Sequence, residues 1–123
     1  MSLYTAGQEA EGVMQIKTEF PFTLPLGYRD ADGTLHRTGI MRRATPADEI
    51  LPLKDHRVQN DPTYLMVIVL SRVVMKLGSI EFVNTHIIEN LFAADLQYLL
   101  DLYGRINADN SVDGGAPGAA ERA

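Results

Sequence analysis

The chain has 123 residues, a net charge of −5 and no cysteine, and 46% of its residues are hydrophobic. This length predicts one domain with a single core, and the lack of cysteine excludes disulfide bonds and thiolate metal sites. The acidic balance argues against a nucleic-acid-binding protein, which normally presents a basic face.

The N-terminal residues predict neither a secretion signal nor a membrane anchor. Residues 1–12, MSLYTAGQEAEG, have no basic start and no apolar stretch, and they are expected to form a flexible lead. The apolar residues 64–70 are far fewer than the roughly 20 that a membrane span needs, and Arg72 follows closely. We therefore expect a cytoplasmic protein that does not bind membranes.

Residues 18–43 are predicted to form a β-hairpin. From Phe20 to Tyr28 large apolar side chains occupy every second position, which is typical of a half-buried strand. The interleaved prolines restrict this strand to the edge of a sheet. Residues 29–33, RDADG, have the composition of a turn, and residues 34–43 are predicted to return as the second strand.

A helix is predicted to start after the hairpin. Thr45 is a good N-cap and Pro46 suits the first helical position. Asp48 and Glu49 then fall in the first turn, where the helix dipole favours negative charge. Because Pro52 follows soon afterwards, this helix is expected to be short.

Residues 61–78, DPTYLMVIVLSRVVMKLG, are almost wholly apolar. Asp61 and Pro62 at one end and Gly78 at the other are typical helix boundaries, so the segment is predicted to form one helix. Its many β-branched residues also suit a buried strand, and that alternative stays open. A helix of this composition must be covered by the rest of the chain, by a second copy or by a partner.

Two further helices complete the predicted fold. Residues 85–91 favour a short helix, and residues 92–107 favour a longer one with apolar side chains at helical spacing. Residues 108–123 are rich in glycine and alanine and are expected to form a disordered tail. The predicted fold class is α+β: an N-terminal antiparallel β-hairpin, then a cluster of three or four helices over residues 45–107, in a single domain spanning residues 13–107.

The sequence carries no local signature of catalysis or metal binding. Its three histidines lie in different predicted elements, and His86 with Glu89 supplies only one pair at helical spacing. Residues 109–114 resemble the start of a calcium-binding loop, but Ala120 occupies the position of its bidentate glutamate. We therefore expect no enzymatic activity, no catalytic residues, no metal and no cofactor.

Two features of the helical region indicate packing or partner binding. Arg72 and Lys76 lie four residues apart in the apolar segment and define a possible polar edge, with Glu89 or Asp95 as expected ion-pair partners. Apolar side chains of the same segment and of the last helix are predicted to form a packing or partner surface. This set comprises Tyr64, Met66, Val67, Leu70, Val73, Val74, Leu96, Leu99 and Tyr103.

Three runs of the sequence resemble a family of small phage tail assembly proteins. The runs are LPLGYRDADGTLHRTGIMRRATPADEI, LPLKDHRVQNDPTYLMVIVLSRVVMKLGSI and IIENLFAADLQYLLDLYGRIN, and the resemblance covers roughly residues 20–107. The family is found in contractile phages and phage-derived contractile injection systems, and it is similar to the broader group of tail assembly chaperones. Members of that group share a strand pair followed by an Arg/Thr/Asp helix start, which corresponds here to residues 41–48, MRRATPAD.

The resemblance implies a non-enzymatic role in building a contractile tail. The implied partners are the tape-measure or tube proteins and further copies of the chain in a homo-oligomer, with no nucleic acid. The main alternative is a structural component, such as a baseplate or cap element, that is retained in the mature particle. Two others are a small enzyme or metal-dependent protein with a spatially assembled site, and a self-contained regulatory dimer. The expected location is the cytoplasm of a bacterial cell producing the particle.

Overall fold

The computed structural model describes residues 16–108, within which the chain forms three β-strands and five α-helices. In chain order these are β1 Glu19–Arg29, β2 Leu35–Arg42, α1 Pro46–Ile50, α2 His56–Asn60, α3 Leu65–Val73, β3 Val74–Leu77, α4 Thr85–Glu89 and α5 Ala93–Ile106. Two 3₁₀ segments, Leu51–Lys54 and Pro62–Tyr64, precede α2 and α3. The predicted α+β class is confirmed. The expected flexible lead, and the expected tail after residue 108, lie outside the described residues.

The predicted hairpin is present as the antiparallel pair β1 and β2. Its turn is organised by Asp30, whose Oδ1 accepts hydrogen bonds from the backbone N–H groups of Asp32 at 2.9 Å and Thr34 at 3.0 Å. Gly33 takes a φ of 85°, a left-handed conformation that glycine adopts without steric cost. Local turn chemistry therefore sets the position at which the chain reverses.

The apolar alternation of β1 is interrupted at Leu26. Phe22 and Leu24 are buried as expected, whereas Leu26 is about half exposed, which corrects the prediction that it shares their face. The register of β1 against β2 shifts between Thr23 and Tyr28, and Gly27 within that interval has a φ of 106°. An irregularity of this kind re-aims the following side chains, and the sequence alternation alone cannot reveal it.

Residues 61–78 do not form a single helix, which is the main correction to the predicted fold. Asp61 caps the 3₁₀ segment as expected, but α3 ends at Val73 and the backbone of Val74 is extended. Strand β3 follows without a loop and pairs antiparallel with β2, giving the sheet order β1-β2-β3. Gly78 is left-handed with a φ of 59°, yet it ends a strand rather than a helix. Val74 is the only β-branched residue of β3, so pairing with the backbone groups of β2, rather than residue propensity, accounts for the strand.

Close approach of β3 to β2 depends on Gly39. A Cβ atom at this position would lie 2.4 Å from the carbonyl oxygen of Lys76 and 2.5 Å from the ring of Phe22. Both distances are far below van der Waals contact, so a larger residue would force the third strand or the Phe22 ring away. Glycine at position 39 thus permits the three-stranded sheet.

The core is built from all three strands and from α3, α4 and α5. Helix α5 packs against β1, and α3 packs against α4. Residues 85–91 and 92–107 were predicted to be helical, and α4 and α5 lie within them. In the part of the chain that the structure describes, no helix has the length and apolar character needed to cross a bilayer. The most deeply buried apolar side chains of this core are Leu24, Met41, Val69, Leu70, Val73 and Leu99.

Helix α5 is fixed to β1 by a buried carboxylate. Asp95 is completely buried in the first turn of α5, and its Oδ1 and Oδ2 accept the backbone N–H groups of Leu26 and Gly27, each at 2.8 Å. These donors lie at the register shift of β1. The carboxylate therefore hydrogen-bonds two amides at the point where the strand is irregular.

Candidate functional site: an arginine-lined cleft

A buried carboxylate joins β2, α1 and α3. Asp48 is only 2% exposed, and its Oδ2 accepts Nη1 of Arg42 at 2.7 Å. Its Oδ1 accepts Nη2 of Arg42 at 2.9 Å and Nε of Arg72 at 2.9 Å. Two guanidinium groups from different elements thus share one carboxylate.

The local sequence positions Asp48 for this role. Thr45 is the N-cap of α1 and Pro46 its first residue, as predicted. Asp48 is the third helical residue, and its Oδ2 also accepts the backbone N–H of Thr45 at 2.8 Å, the returning bond of a capping box. The helix start that the sequence analysis identified is therefore also the centre of an ion-pair cluster.

The hydrogen bonds from Arg42, opposed by burial, hold the pKa of Asp48 well below its usual range. In turn, the hydrogen bonds to Asp48 raise the pKa of Arg42. The carboxylate therefore stays ionised and fully engaged at neutral pH. A carboxylate in this state is a poor general base, so the geometry indicates a structural role for the cluster.

The two arginines of this cluster also line an open cleft of about 560 Å³, together with Arg57. Arg57 belongs to α2 and pairs with Asp55 at 3.0 Å, and its guanidinium lies 5.0 Å from the centroid of the Tyr64 ring. Its Nη1 also donates to Oγ1 of Thr85 at 3.2 Å. Hydrogen bonds from Arg57 lower the pKa of Asp55 to about 2. We call this surface the arginine cleft.

The arginine cleft also has an apolar side. Ile68 of α3 and Val74 of β3 are buried lining residues, and Met75 is about half exposed. Phe82, which lies between β3 and α4, is 80% exposed. Among the described residues that line the cleft, Glu81 is the only carboxylate. The cleft therefore combines three cations with aliphatic and aromatic side chains.

A second exposed apolar feature follows Asp48 in the chain, at the end of α1 and in the next 3₁₀ segment. Ile50, Leu51 and Leu53 are 55%, 46% and 51% exposed, although they fall within four consecutive residues of α1 and the following 3₁₀ segment. Pro52 between them is buried. We call these three side chains the aliphatic ridge.

The predicted packing or partner surface divides into two groups. Leu70, Val73, Val74, Leu99 and Tyr103 lie in the core, where they contact the rest of the chain rather than solvent. Met66, Val67 and Leu96 are partly buried against the core. Tyr64 is also partly buried, and its ring lies beside Arg57.

The predicted polar edge is corrected. Arg72 lies at the end of α3 but pairs with Asp48, not with Glu89 or Asp95. Lys76 belongs to β3, so the two cations do not share a helical face. Asp95 instead accepts two backbone amides, and Glu89 accepts the hydroxyl of Tyr64. The predicted helical spacing of Arg72 and Lys76 was wrong because it assumed a helix that continues through β3, whereas α3 ends at Val73.

One of the three histidines, His36, belongs to β2 of the predicted hairpin. His36 is buried, its Nε2 lies 2.8 Å from Oδ2 of Asp30, and the backbone N–H of Ser79 points to its Nδ1 at 3.4 Å. Tyr28 stacks on the imidazole ring. Both ring nitrogens thus have partners within the fold. Within residues 16–108 there is no cluster of three or more histidine or acidic side chains suited to a metal ion.

Sequence reasoning missed both exposed apolar features. The run from Ile50 to Leu53 was a usable signal, because it places three large aliphatic residues beside a helix too short to bury them. Phe82 gave no comparable signal, since a single phenylalanine between two elements is equally typical of a core position.

Comparison with protein-family models, with curated proteins and with solved structures finds no match to this chain.

Proposed function

We propose that this chain is a non-enzymatic assembly protein of chaperone type for a phage-like contractile tail or injection system. In this role it acts in the cytoplasm of the producing bacterial cell by contact with tape-measure or tube components. The resemblance of residues 20–107 to small tail assembly proteins supports the proposal at the level of sequence. The chemistry of the described residues supports a contact function, because the buried carboxylates Asp48 and Asp95 are occupied by structural hydrogen bonds.

The aliphatic ridge is the observation that carries the proposal. Single exposed apolar residues are common on protein surfaces, but Ile50, Leu51 and Leu53 together place three large aliphatic side chains at one turn. Burying such side chains against a partner is favourable by roughly 25 cal/mol per Å² of apolar surface. The ridge therefore fits a surface that contacts another protein.

The net charge of −5 is consistent with this role. A protein that holds an apolar partner must remain soluble while part of its own surface is apolar, and like charge between copies opposes their association. The acidic balance of the chain supplies that repulsion.

The test is co-expression with the tail proteins encoded beside it, followed by purification through a tag on this chain. We expect a tape-measure or tube component to co-purify, and the double variant Leu51→Asp/Leu53→Asp to lose it while retaining the wild-type urea midpoint. Leu35→Asp is the matched control, because this leucine is also about half exposed but lies on β2. It should retain the partner.

Two outcomes would overturn the proposal. If wild-type protein captures none of the tail proteins, the assembly role is wrong. If the chain is found at fixed stoichiometry in purified particles, it is a retained structural component rather than a chaperone.

A further inference from the structure

We propose that the arginine cleft binds an amphipathic, acidic segment of a partner protein, with Phe82 as the main apolar contact. This inference rests on the proposed function for the existence of a protein partner, but it concerns a different surface from the aliphatic ridge. It assigns the chemistry of the segment: carboxylates on one side and large apolar side chains on the other.

The way in which Asp48 is shared between two arginines supports an acidic occupant. Arg42, Arg57 and Arg72 line the cleft, where Glu81 is the only carboxylate among the described lining residues. Arg57 is paired with Asp55, which lies outside the lining. Asp48 neutralises only one of its two guanidinium partners and is itself buried. Both Nη atoms of Arg42 already donate within the fold, to Asp48 and to the carbonyl oxygens of Arg43 and Arg72. Arg72 donates to Asp48 through Nε, and no described residue accepts from its Nη atoms. These Nη groups, on a side chain about one-third exposed, are therefore left to face an incoming carboxylate.

The geometry of Arg57 also suits recognition. Its ion pair with Asp55 and its position over the Tyr64 ring hold a side chain that is still half exposed. A guanidinium held in this way loses less conformational entropy on binding than a free one. It lines the same cleft as Phe82, so cationic and aromatic contacts are available to one segment.

Phe82 and Met75 supply the apolar half of the surface. Phe82 is 80% exposed, which leaves nearly all of its ring available for contact, and Met75 is 40% exposed. Aromatic side chains dominate the energetics of many interfaces, and methionine adapts its shape to a partner. A helix with apolar residues at i, i+3 and i+4 fits a groove of this character.

The test uses two synthetic peptides of about 18 residues, or five helical turns, with the same leucine and phenylalanine stripe. One peptide carries glutamate on its polar face and the other carries lysine. Binding to the full chain is measured by fluorescence anisotropy at low and at moderate ionic strength. We expect the glutamate peptide to bind about tenfold more tightly than the lysine peptide, with the difference reduced by salt.

Variants identify the surface. Phe82→Ala should weaken binding of the glutamate peptide about tenfold, whereas Phe92→Ala, at an exposed phenylalanine outside the cleft, should not. Arg57→Glu should also weaken binding, whereas Arg105→Glu makes the same charge change on an exposed residue of α5 outside the cleft and should have little effect. Unfolding curves for all four variants check that the fold is retained.

The inference is wrong if both peptides bind equally, if neither binds, or if each cleft variant behaves like its control. Preferential binding of a single-stranded oligonucleotide over the glutamate peptide would also overturn it. So would a concentration-dependent dimer of the chain that Phe82→Ala abolishes, because the occupant would then be a second copy. If the peptide experiment contradicts this inference while the chain still captures a tail protein through the aliphatic ridge, the proposed function stands and only the inference is wrong.

Discussion

The carboxylate of Asp95 accepts the backbone N–H of Gly27 at 2.8 Å, across 68 positions of sequence. The adjacent N–H of Leu26 donates to the other oxygen of the same carboxylate. These amides lie where the register of β1 shifts against β2. One side chain on α5 thus compensates for an irregularity in a strand and determines where the helix meets the sheet.

Replacing Asp95 with alanine is expected to destabilise the protein by about 3 kcal/mol, because two amides lose a charged acceptor in a buried environment. Urea denaturation followed by circular dichroism measures the change. Asp101→Ala removes an exposed carboxylate from the same helix and should change the free energy of unfolding by less than about 0.5 kcal/mol. Equal changes in the free energy of unfolding for the two substitutions would show that the hydrogen bonds of Asp95 do not stabilise the fold.

Two glycine-to-alanine substitutions should act in opposite directions. Gly39→Ala places a methyl group 2.4 Å from the Lys76 carbonyl oxygen, and we expect a loss of about 2 kcal/mol or more. Gly104→Ala, inside α5, meets no atom within 4 Å and should stabilise the protein by about 0.5–1 kcal/mol. Thermal unfolding of both variants provides the comparison. A stabilising Gly39→Ala would contradict the close approach of β3 to β2.

Asp48 should make stability depend on pH in the acidic range. Its pKa in the folded protein lies below the value of about 3.9 expected for the unfolded chain, because Arg42 and Arg72 donate hydrogen bonds to the ionised form. The unfolded state therefore takes up the proton first as the pH falls. The stabilisation is fully present above about pH 5 and is lost progressively as the pH falls towards the folded pKa.

This dependence is measured as the difference in unfolding free energy between wild type and Asp48→Asn. We expect a gap of about 2–3 kcal/mol at neutral pH, at the low end for a buried ion pair because both guanidiniums are partly exposed. The gap should narrow below about pH 4. Asp32→Asn, in the exposed hairpin turn, should show no comparable gap. A gap for Asp48→Asn that stays constant to low pH would contradict the assignment.

Apolar residues on α3 and on the ridge should respond differently to truncation. Leu70 is fully buried, so Leu70→Ala is expected to cost about 2–5 kcal/mol. Leu53→Ala, on the aliphatic ridge, should change stability by less than about 1 kcal/mol while weakening partner capture. Chemical denaturation and the co-purification assay separate these effects. If Leu70→Ala lost partner capture without losing stability, the binding surface would lie on α3 rather than on the aliphatic ridge.

Local signals account for the parts of the fold that the sequence predicts well. The turn at Asp30 and Gly33 and the N-cap at Thr45 each depend on residues within a few positions of one another. The same holds for the helical spacing of α5. Such features can be identified from a single sequence, because the chemistry that produces them is contained in the segment.

Long-range contacts account for what the sequence did not predict. Strand β3 exists because β2 pairs with it, and Gly39, which permits this pairing, lies 35 residues before Val74. Arg72 pairs with Asp48 across 24 positions. The exposure of Phe82 also depends on how distant elements pack. Propensity and spacing carry no information about such pairs, so the arginine cleft could not be identified before the fold was known.

The uninterrupted passage from α3 to β3 has a consequence for recognition. Five lining residues of the cleft belong to this one backbone run without a loop: Ile68, Ser71 and Arg72 on the helix, and Val74 and Met75 on the strand. The relative placement of these residues is set when β3 joins the sheet. Such a preorganised surface confines the entropy lost on association mainly to side chains such as Phe82. Tight binding to a preorganised surface then requires fewer contacts than equally tight binding to a surface that must first become ordered.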